Sequence, residues 1–380
     1  MDLNHLPGSR IVEIARLAFA RPDTDVLCFG ESDRPSPMAA GTAATAALAA
    51  GHTLYPDVRG IPALRAGIAD MLSTLHARPI DETRVVVTAS GMAAIAVALS
   101  AVLRAGDRVL LHEPGWPNVG NAVRLRGAEV ETVTLGAGDD GGFTFDLSEF
   151  ADRLVGCRAF VLNSPNNPTG WTATTTEIEA ILRLCRRHGV WLIADEVYSR
   201  LIYDQRAAAP SVLDIADPTD RVIVCNSFSK TYAMTGWRLG WLVVPEGTRE
   251  TIAEIVEVTH SGVAPFAQTG ALAALADEDF VGAFRAHCAT GRRLAVEALA
   301  GLSGVRLRAP DGAFYAFVRI EGLDDSVGLA HRLVTEHGVA VAPGAAFGSG
   351  GEGHLRVCFA RVPQTIKRAM GRLRAGLATT

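Results

Sequence analysis

An α/β fold, with a mainly parallel sheet of seven strands covered by helices on both faces and a smaller α+β domain beside it, is predicted by two observations. From Val85 onward, short runs rich in β-branched residues alternate with helical patterns, as in successive βαβ units. That alternation is the pattern of a parallel sheet covered by helices on both faces. The chain has 380 residues, enough for one large sheet domain with an appendage.

Taken in order, Ser9 is placed to cap a short helix with Ile11, Ile14, Ala15 and Ala18 on one face, ended by Arg21-Pro22. Leu27 to Gly30 reads as a brief extended segment. Ser36-Pro37 opens an alanine-rich helix that stops at Gly51, its low complexity being that of tight packing. Tyr55-Pro56 and Gly60 form a loop, and Pro62 opens a helix carrying Leu64, Ile68 and Leu72. Strands are expected at 85–88, 108–111, 129–133, 158–162, 190–194 and 221–225, separated by helices at 91–104, 117–126, 147–154 and 175–188. A strand over 239–244 leads into long helices to about residue 300. Strands at 305–308, 314–319, 339–342 and 355–359, with helices at 326–336 and 363–376, form the smaller region. The expected division is 1–45 as an N-terminal segment of the small domain, 46–290 as the large domain and 291–380 as the small C-terminal domain.

Composition narrows the partners. Hydrophobic residues make up 48% and charged residues 20% of the chain, which is ordinary for a soluble enzyme and excludes a disordered one. A formal charge of -5 offers no basic patch for nucleic acid or an anionic membrane, so small molecules and a second copy of the chain are the expected partners. The six cysteines are scattered without a CxxC pair, as buried free thiols in a reducing compartment would be, and no metal site is expected. The N-terminus lacks the basic-then-apolar order of a secretory leader, which points to the cytoplasm. Val85 to Leu103 is uncharged and long enough to span a bilayer, but Ser90-Gly91 interrupts it, so it reads as strand, turn and buried helix.

In sheets of this kind ligands bind at the carboxyl ends of the strands, so the residues following each strand are the candidates. Lys230 follows the last of the six regular strands and is one of only two lysines among 36 basic residues, the other being Lys367 on a charged C-terminal helix. Arginine cannot lose its proton, whereas a desolvated lysine can act as a nucleophile towards a carbonyl. Alone, Lys230 reads better as a lysine snorkelling from a sheet edge, and the rest of the chain decides. Ser90, Gly91 and Met92 stand where a strand turns into a helix, an anion cradle suited to a phosphate. Asn167 sits in the turn Asn166-Asn-Pro-Thr-Gly170 and could present its amide to a ring oxygen; otherwise the turn is a connector. Asp195 ends the run Val190 to Ala194, where a buried carboxylate needs a cation such as a protonated ring nitrogen, unless it caps a helix. Trp116 could be core or could lie against a planar ring. Arg238 and Arg356 are suited to phosphate and carboxylate. No GxGxxG follows a strand, which argues against a dinucleotide. Together these residues supply an amine, a ring-nitrogen counter-ion, a stacking plane, a phosphate cradle and a carboxylate clamp, the makings of a pyridoxal-phosphate site.

Ordered motifs run along nearly the whole chain: Gly30 to Asp33, Tyr55-Pro56 with Gly60 and Leu64-Arg65, Thr88 to Gly91, Pro114 to Pro117, Asn163 to Gly170, Asp195 to Tyr198, Ser227 to Lys230, Gly236 to Gly240, Pro310 to Tyr315, Pro343-Gly344 with Phe347-Gly348, and Leu355-Arg356. In these the chain resembles the class I/II aminotransferases, fold-type I enzymes that use pyridoxal 5'-phosphate, within the aspartate aminotransferase superfamily. The resemblance implies that Lys230 forms the Schiff base with the cofactor and that Asp195 keeps its ring nitrogen protonated. It gives the phenolic oxygen to Asn167 and Tyr198, and the phosphate to Ser227, Arg238, the amides of Ser90 to Met92, and Tyr55 reaching over from a partner in a homodimer. Arg356, with the Gly30 backbone and Asn167, would hold the substrate carboxylate. The implied reaction is ping-pong transfer of an amino group from an amino acid to a 2-oxo acid. A β-lyase of the same fold, or a sensor built on it, is the alternative.

Two positions depart from the family pattern. Trp116 stands where tyrosine is commoner, and Met92 stands where aspartate- and prephenate-specific members carry a lysine for the distal carboxylate. A carboxylate left there without a cation is costly to bury, so a neutral, apolar or aromatic donor is expected rather than aspartate.

Overall fold

The computed structural model describes residue 6 and residues 8–378. Met1 to His5 and Pro7, part of the stretch read for a leader, lie outside the described residues, as do Thr379 and Thr380. The central sheet has seven strands: β1 (Val85–Thr88), β2 (Arg108–Glu113), β3 (Glu129–Thr134), β4 (Ala159–Asn163), β5 (Trp191–Asp195), β6 (Val222–Ser227) and β7 (Gly240–Val243). Their spatial order is β1-β7-β6-β5-β4-β2-β3. All neighbours are parallel except β7, which runs antiparallel to both β1 and β6. Each strand lies within two residues of its expected limits.

The period of two inside the apolar runs divides the core. Val85, Val87, Leu192, Ala194, Val222 and Val224 face one layer of helices, while Val86, Ile193, Ile223 and Leu242 face the other. The uncharged stretch from Val85 to Leu103 forms β1, a turn and the helix Gly91–Val102, and among the described residues no helix is long and apolar enough to cross a membrane. All six cysteines are buried and unpaired.

A second core joins the two ends of the chain. The helix Arg10–Phe19, capped by Ser9, buries Ile11, Ile14, Ala15 and Ala18 in one cluster with Phe317, Leu333, Val357 and Met370. The four-stranded antiparallel sheet there contains β8 (Val305–Arg306), β9 (Tyr315–Ile320), β10 (Ala342–Pro343) and β11 (His354–Cys358), in the order β8-β9-β11-β10. The strand expected over 339–342 is in fact two. Val339–Ala340 pairs in parallel with Asp25–Val26, and only Ala342–Pro343 joins β11. The extended segment expected at Leu27 to Gly30 is correspondingly displaced to Asp25–Val26, because Phe29 and Gly30 turn to wall a chamber.

The expected limits at residues 45 and 290 fall inside the unbroken helices Met38–Ala49 and Glu278–Leu299. Gly291 permits the second of these to lie on the backbone, since an added Cβ would run into the Phe359 carbonyl oxygen. Gly291→Ala is therefore expected to lower stability by about 1–3 kcal/mol, read as an earlier midpoint in denaturant unfolding. The alanine-rich helix Met38–Ala49 is only half accounted for by packing. Ala40 and Ala47 are buried, but Met38 is 86% and Leu48 51% exposed, so an apolar face is left bare.

Candidate active site

The carboxyl ends of the parallel strands and the second core enclose a chamber of about 640 Å³. Gly30, Ser90, Gly91, Met92, Trp116, Asn167, Asp195, Tyr198, Ser227, Lys230, Arg238 and Arg356 all line it. Tyr55 does not: it is 92% exposed and outside the chamber.

Lys230 sits in the single helical turn Phe228–Thr231 that follows β6. Ser227 starts this turn by accepting from the Ser229 amide (3.0 Å) and donating its hydroxyl to Leu239 O (2.9 Å), which aims the lysine inward. Its Nζ donates to Gly30 O (2.5 Å), and burial pushes its pKa down to about 8. Asp195 ends β5 nearly buried, with Oδ1 lacking any partner. Burial pushes its carboxyl up to about 7 against the opposing pull of the Val197 amide and the Lys230 charge. It caps no helix.

Asn163 at the end of β4 organises the next loop, its Oδ1 accepting from the Asn167 amide (2.8 Å) and from Asn166 Nδ2 (3.3 Å). The peptide bonds before Pro165 and Pro168 are cis, which the sequence did not signal, and Gly170 takes the left-handed conformation expected of it (φ 71°). Asn167 is thereby held with Oδ1 accepting from Arg356 Nη1 (2.8 Å). Arg356, on β11, also donates Nη2 to Cys28 O (2.5 Å), while its buried Nε has no partner. Its guanidinium lies over the rings of Tyr315 (4.4 Å) and Phe347 (4.7 Å).

At the far end, Ser90 caps the helix Gly91–Val102 by accepting from the Ala93 amide (2.9 Å), and the helix dipole makes this end attractive to anions. Gly240 permits the close approach of β7, since an added Cβ would stand 2.5 Å from the Ser90 carbonyl carbon. Arg238, in the left-handed conformation (φ 56°), adds positive charge at this end. Trp116 forms a half-buried wall between the two cores. The cofactor expected from the sequence fits this set of groups. An orphaned carboxylate oxygen suits a cationic ring atom, an orphaned guanidinium nitrogen suits a carboxylate, and the helix start with Arg238 suits a phosphate.

Sequence reasoning left Tyr315, Val197 and Asn163 without roles, although each lies in a quoted motif. Tyr198 and Tyr315 share a hydrogen bond between their hydroxyls (2.7 Å), a meeting of residues 117 apart that no local pattern reveals.

The model of the family described as aminotransferase class I and II matches residues 24–373. Among curated relatives, an aspartate aminotransferase of Thermotoga maritima is 33% identical over 98% of this chain and 97% of its own. An arginine–pyruvate transaminase of Pseudomonas aeruginosa is 34% identical over 92% and 88%. Among solved structures, an aromatic aminotransferase from Pyrococcus horikoshii superposes with a TM-score of 0.87 at 31% identity, over 96% of this chain and 99% of that one.

Proposed function

This chain belongs to the class I and II aminotransferases, enzymes that work with pyridoxal 5'-phosphate, and on that premise we propose that it moves the amino group of a neutral or aromatic L-amino acid to a 2-oxo acid by a ping-pong mechanism. The observation that carries the site assignment is the pair of orphaned buried atoms in one chamber, Asp195 Oδ1 and Arg356 Nε. Both are charged groups whose desolvation the protein offsets only in part, Asp195 by the Val197 amide and the Lys230 charge and Arg356 by Asn167 and Cys28, so each suits a ligand of opposite charge.

When bound, the cofactor supplies a carbonyl that takes up the amino group and a ring that withdraws electrons from the donor's Cα. Asp195 would hold the ring nitrogen in its protonated form, Asn167 and Tyr198 would hydrogen-bond the phenolic oxygen, and Trp116 would offer an aromatic surface to the ring. Ser227, Arg238 and the amides of Ser90 to Met92 anchor the phosphate. Arg356, with Asn167 and the Gly30 backbone, turns the donor so that its Cα faces Lys230. A lysine whose pKa is depressed to about 8 is neutral often enough near pH 7 to remove the Cα proton and return it on the other side of the transfer. The first product leaves before the acceptor enters.

The donor class rests on a count of cations. Lys230, Arg238 and Arg356 are the only basic side chains lining the chamber among the described residues, and each already has a role. Met92, Ile95 and Phe29 form apolar wall where a distal carboxylate would need a fourth. Relatives acting on aspartate, arginine and aromatic donors are about equally similar to this chain, so overall likeness does not choose among these donors. The test is a screen of single amino acids without acceptor, following loss of the visible absorbance. Leucine, methionine or phenylalanine is expected to react at least about tenfold more efficiently than aspartate, and equal efficiency would overturn the assignment. Met92→Lys is expected to raise kcat/KM for aspartate about tenfold or more, by pairing its second carboxylate.

The exposed apolar face of Met38–Ala49, continued by Leu54 (82% exposed) and Tyr55, supports a homodimer in which Tyr55 completes the neighbouring phosphate site. The six unpaired thiols support a cytoplasmic location.

A further inference from the structure

The turn Pro310 to Tyr315 is tied to the Asn167 loop by the Gly312 amide, which donates to Gly170 O (2.9 Å). It delivers Tyr315, fully buried at the start of β9, into the wall of the chamber. Its hydroxyl meets the Tyr198 hydroxyl, and its ring lies against the Arg356 guanidinium, which Phe347 flanks as a second ring. Gly30 makes room for it, because a Cβ there would collide with the Tyr315 hydroxyl.

We propose that Tyr315 is a positioning residue with two separable duties: its hydroxyl sets the direction of the Tyr198 hydrogen bond, and its ring holds the carboxylate-binding edge of Arg356. The inference rests on the functional reading above, in which Tyr198 donates to the cofactor's phenolic oxygen. A phenol has a single proton, so if Tyr198 spends its own on that oxygen, the bond between the two tyrosines must run from Tyr315 to Tyr198. Burial raises the pKa of both phenols, so neither ionises near neutral pH and the direction persists. A donor behind Tyr198 strengthens the bond Tyr198 makes in front, and so favours the phenolic oxygen as an anion. The ring acts differently. Stacking confines the guanidinium to one plane, in which two of its nitrogens are engaged by Asn167 and Cys28 and Nε has no protein partner.

The test uses purified holo-protein and two variants, Tyr315→Phe and Tyr315→Leu. One readout is the pH midpoint of the visible absorbance change without substrate; the other is calorimetric affinity for 3-phenylpropionate, a carboxylate without an amino group. Tyr315→Phe is expected to raise the midpoint by about one pH unit and to leave the affinity within about twofold. Tyr315→Leu is expected to raise the midpoint similarly and to weaken the carboxylate about tenfold. An unchanged midpoint in Tyr315→Phe, or tenfold weaker carboxylate binding in that variant, would overturn the division of labour even if Tyr315→Leu failed to fold. A wild-type protein with no visible band would instead remove the functional reading beneath it.

Discussion

Replacing Lys230 by alanine is expected to lower turnover by at least about 10⁴-fold and to abolish the visible absorbance of the purified protein, while leaving its far-ultraviolet circular dichroism unchanged. The size of the loss follows from the number of duties on one amine. On the proposed mechanism the side chain would both link to the cofactor and move the Cα proton, and none of the other residues lining the chamber combines an amine with that position. The fold is expected to tolerate the change because the Lys230 side chain makes a single hydrogen bond, to Gly30 O, and its ammonium is held in the chamber against the cost of burial. Lys230→Arg is expected to be as inactive as the alanine variant, since a guanidinium keeps its proton. Substantial turnover with a retained band in Lys230→Ala would end the assignment.

Asp195→Asn is expected to lower kcat by about 10²–10³-fold and at the same time to stabilise the cofactor-free chain at neutral and alkaline pH. Both effects have one cause. The carboxylate is buried with Oδ1 unpaired, so its folded pKa of about 7 lies above the unfolded value near 3.8. A group shifted in this direction contributes stability that is fully present below the unfolded pKa and is lost as pH rises through the folded one. The cofactor-free protein is therefore expected to lose stability between about pH 4 and pH 7, on the order of 2–4 kcal/mol from this residue. Asparagine has nothing to ionise, so its advantage is expected to grow across that window and to vanish in acid. Adding cofactor restores the counter-charge and reverses the order. Thermal melts of both proteins across pH, with and without cofactor, read all of this; a pH-independent difference between them would contradict the account.

The βαβ alternation was sufficient to find all seven strands of the central sheet: six carry short apolar runs, and the edge strand β3, of which only Val133 is buried, was placed by its position between helical patterns. Where an element's limit depends on a neighbour, the sequence was silent. The stretch 339–342 reads as one strand but serves two sheets, since only the approach of Asp25–Val26 on one side and β11 on the other divides it. The bare face of Met38–Ala49 was misread for a similar reason: alanine records that something packs closely, not what it is.

The chemistry of the site was legible because it resides in residue types at strand ends: a scarce lysine, an aspartate ending an apolar run, an asparagine before proline, and arginines beside apolar segments. Chain order brings the lysine, the aspartate and the asparagine to one edge, since the strands they follow run parallel, whereas the two arginines lie in or before antiparallel strands and join them only in the folded chain. Tertiary structure decided which groups remain unpaired. That Arg356 spends two nitrogens on Asn167 and Cys28 and keeps Nε free, that Asp195 Oδ1 meets nothing, and that Tyr315 closes against Tyr198 are properties of segments more than a hundred residues apart. Such pairings are set by the packing of the second core on the sheet, and packing is a property of the folded chain with no counterpart in local sequence.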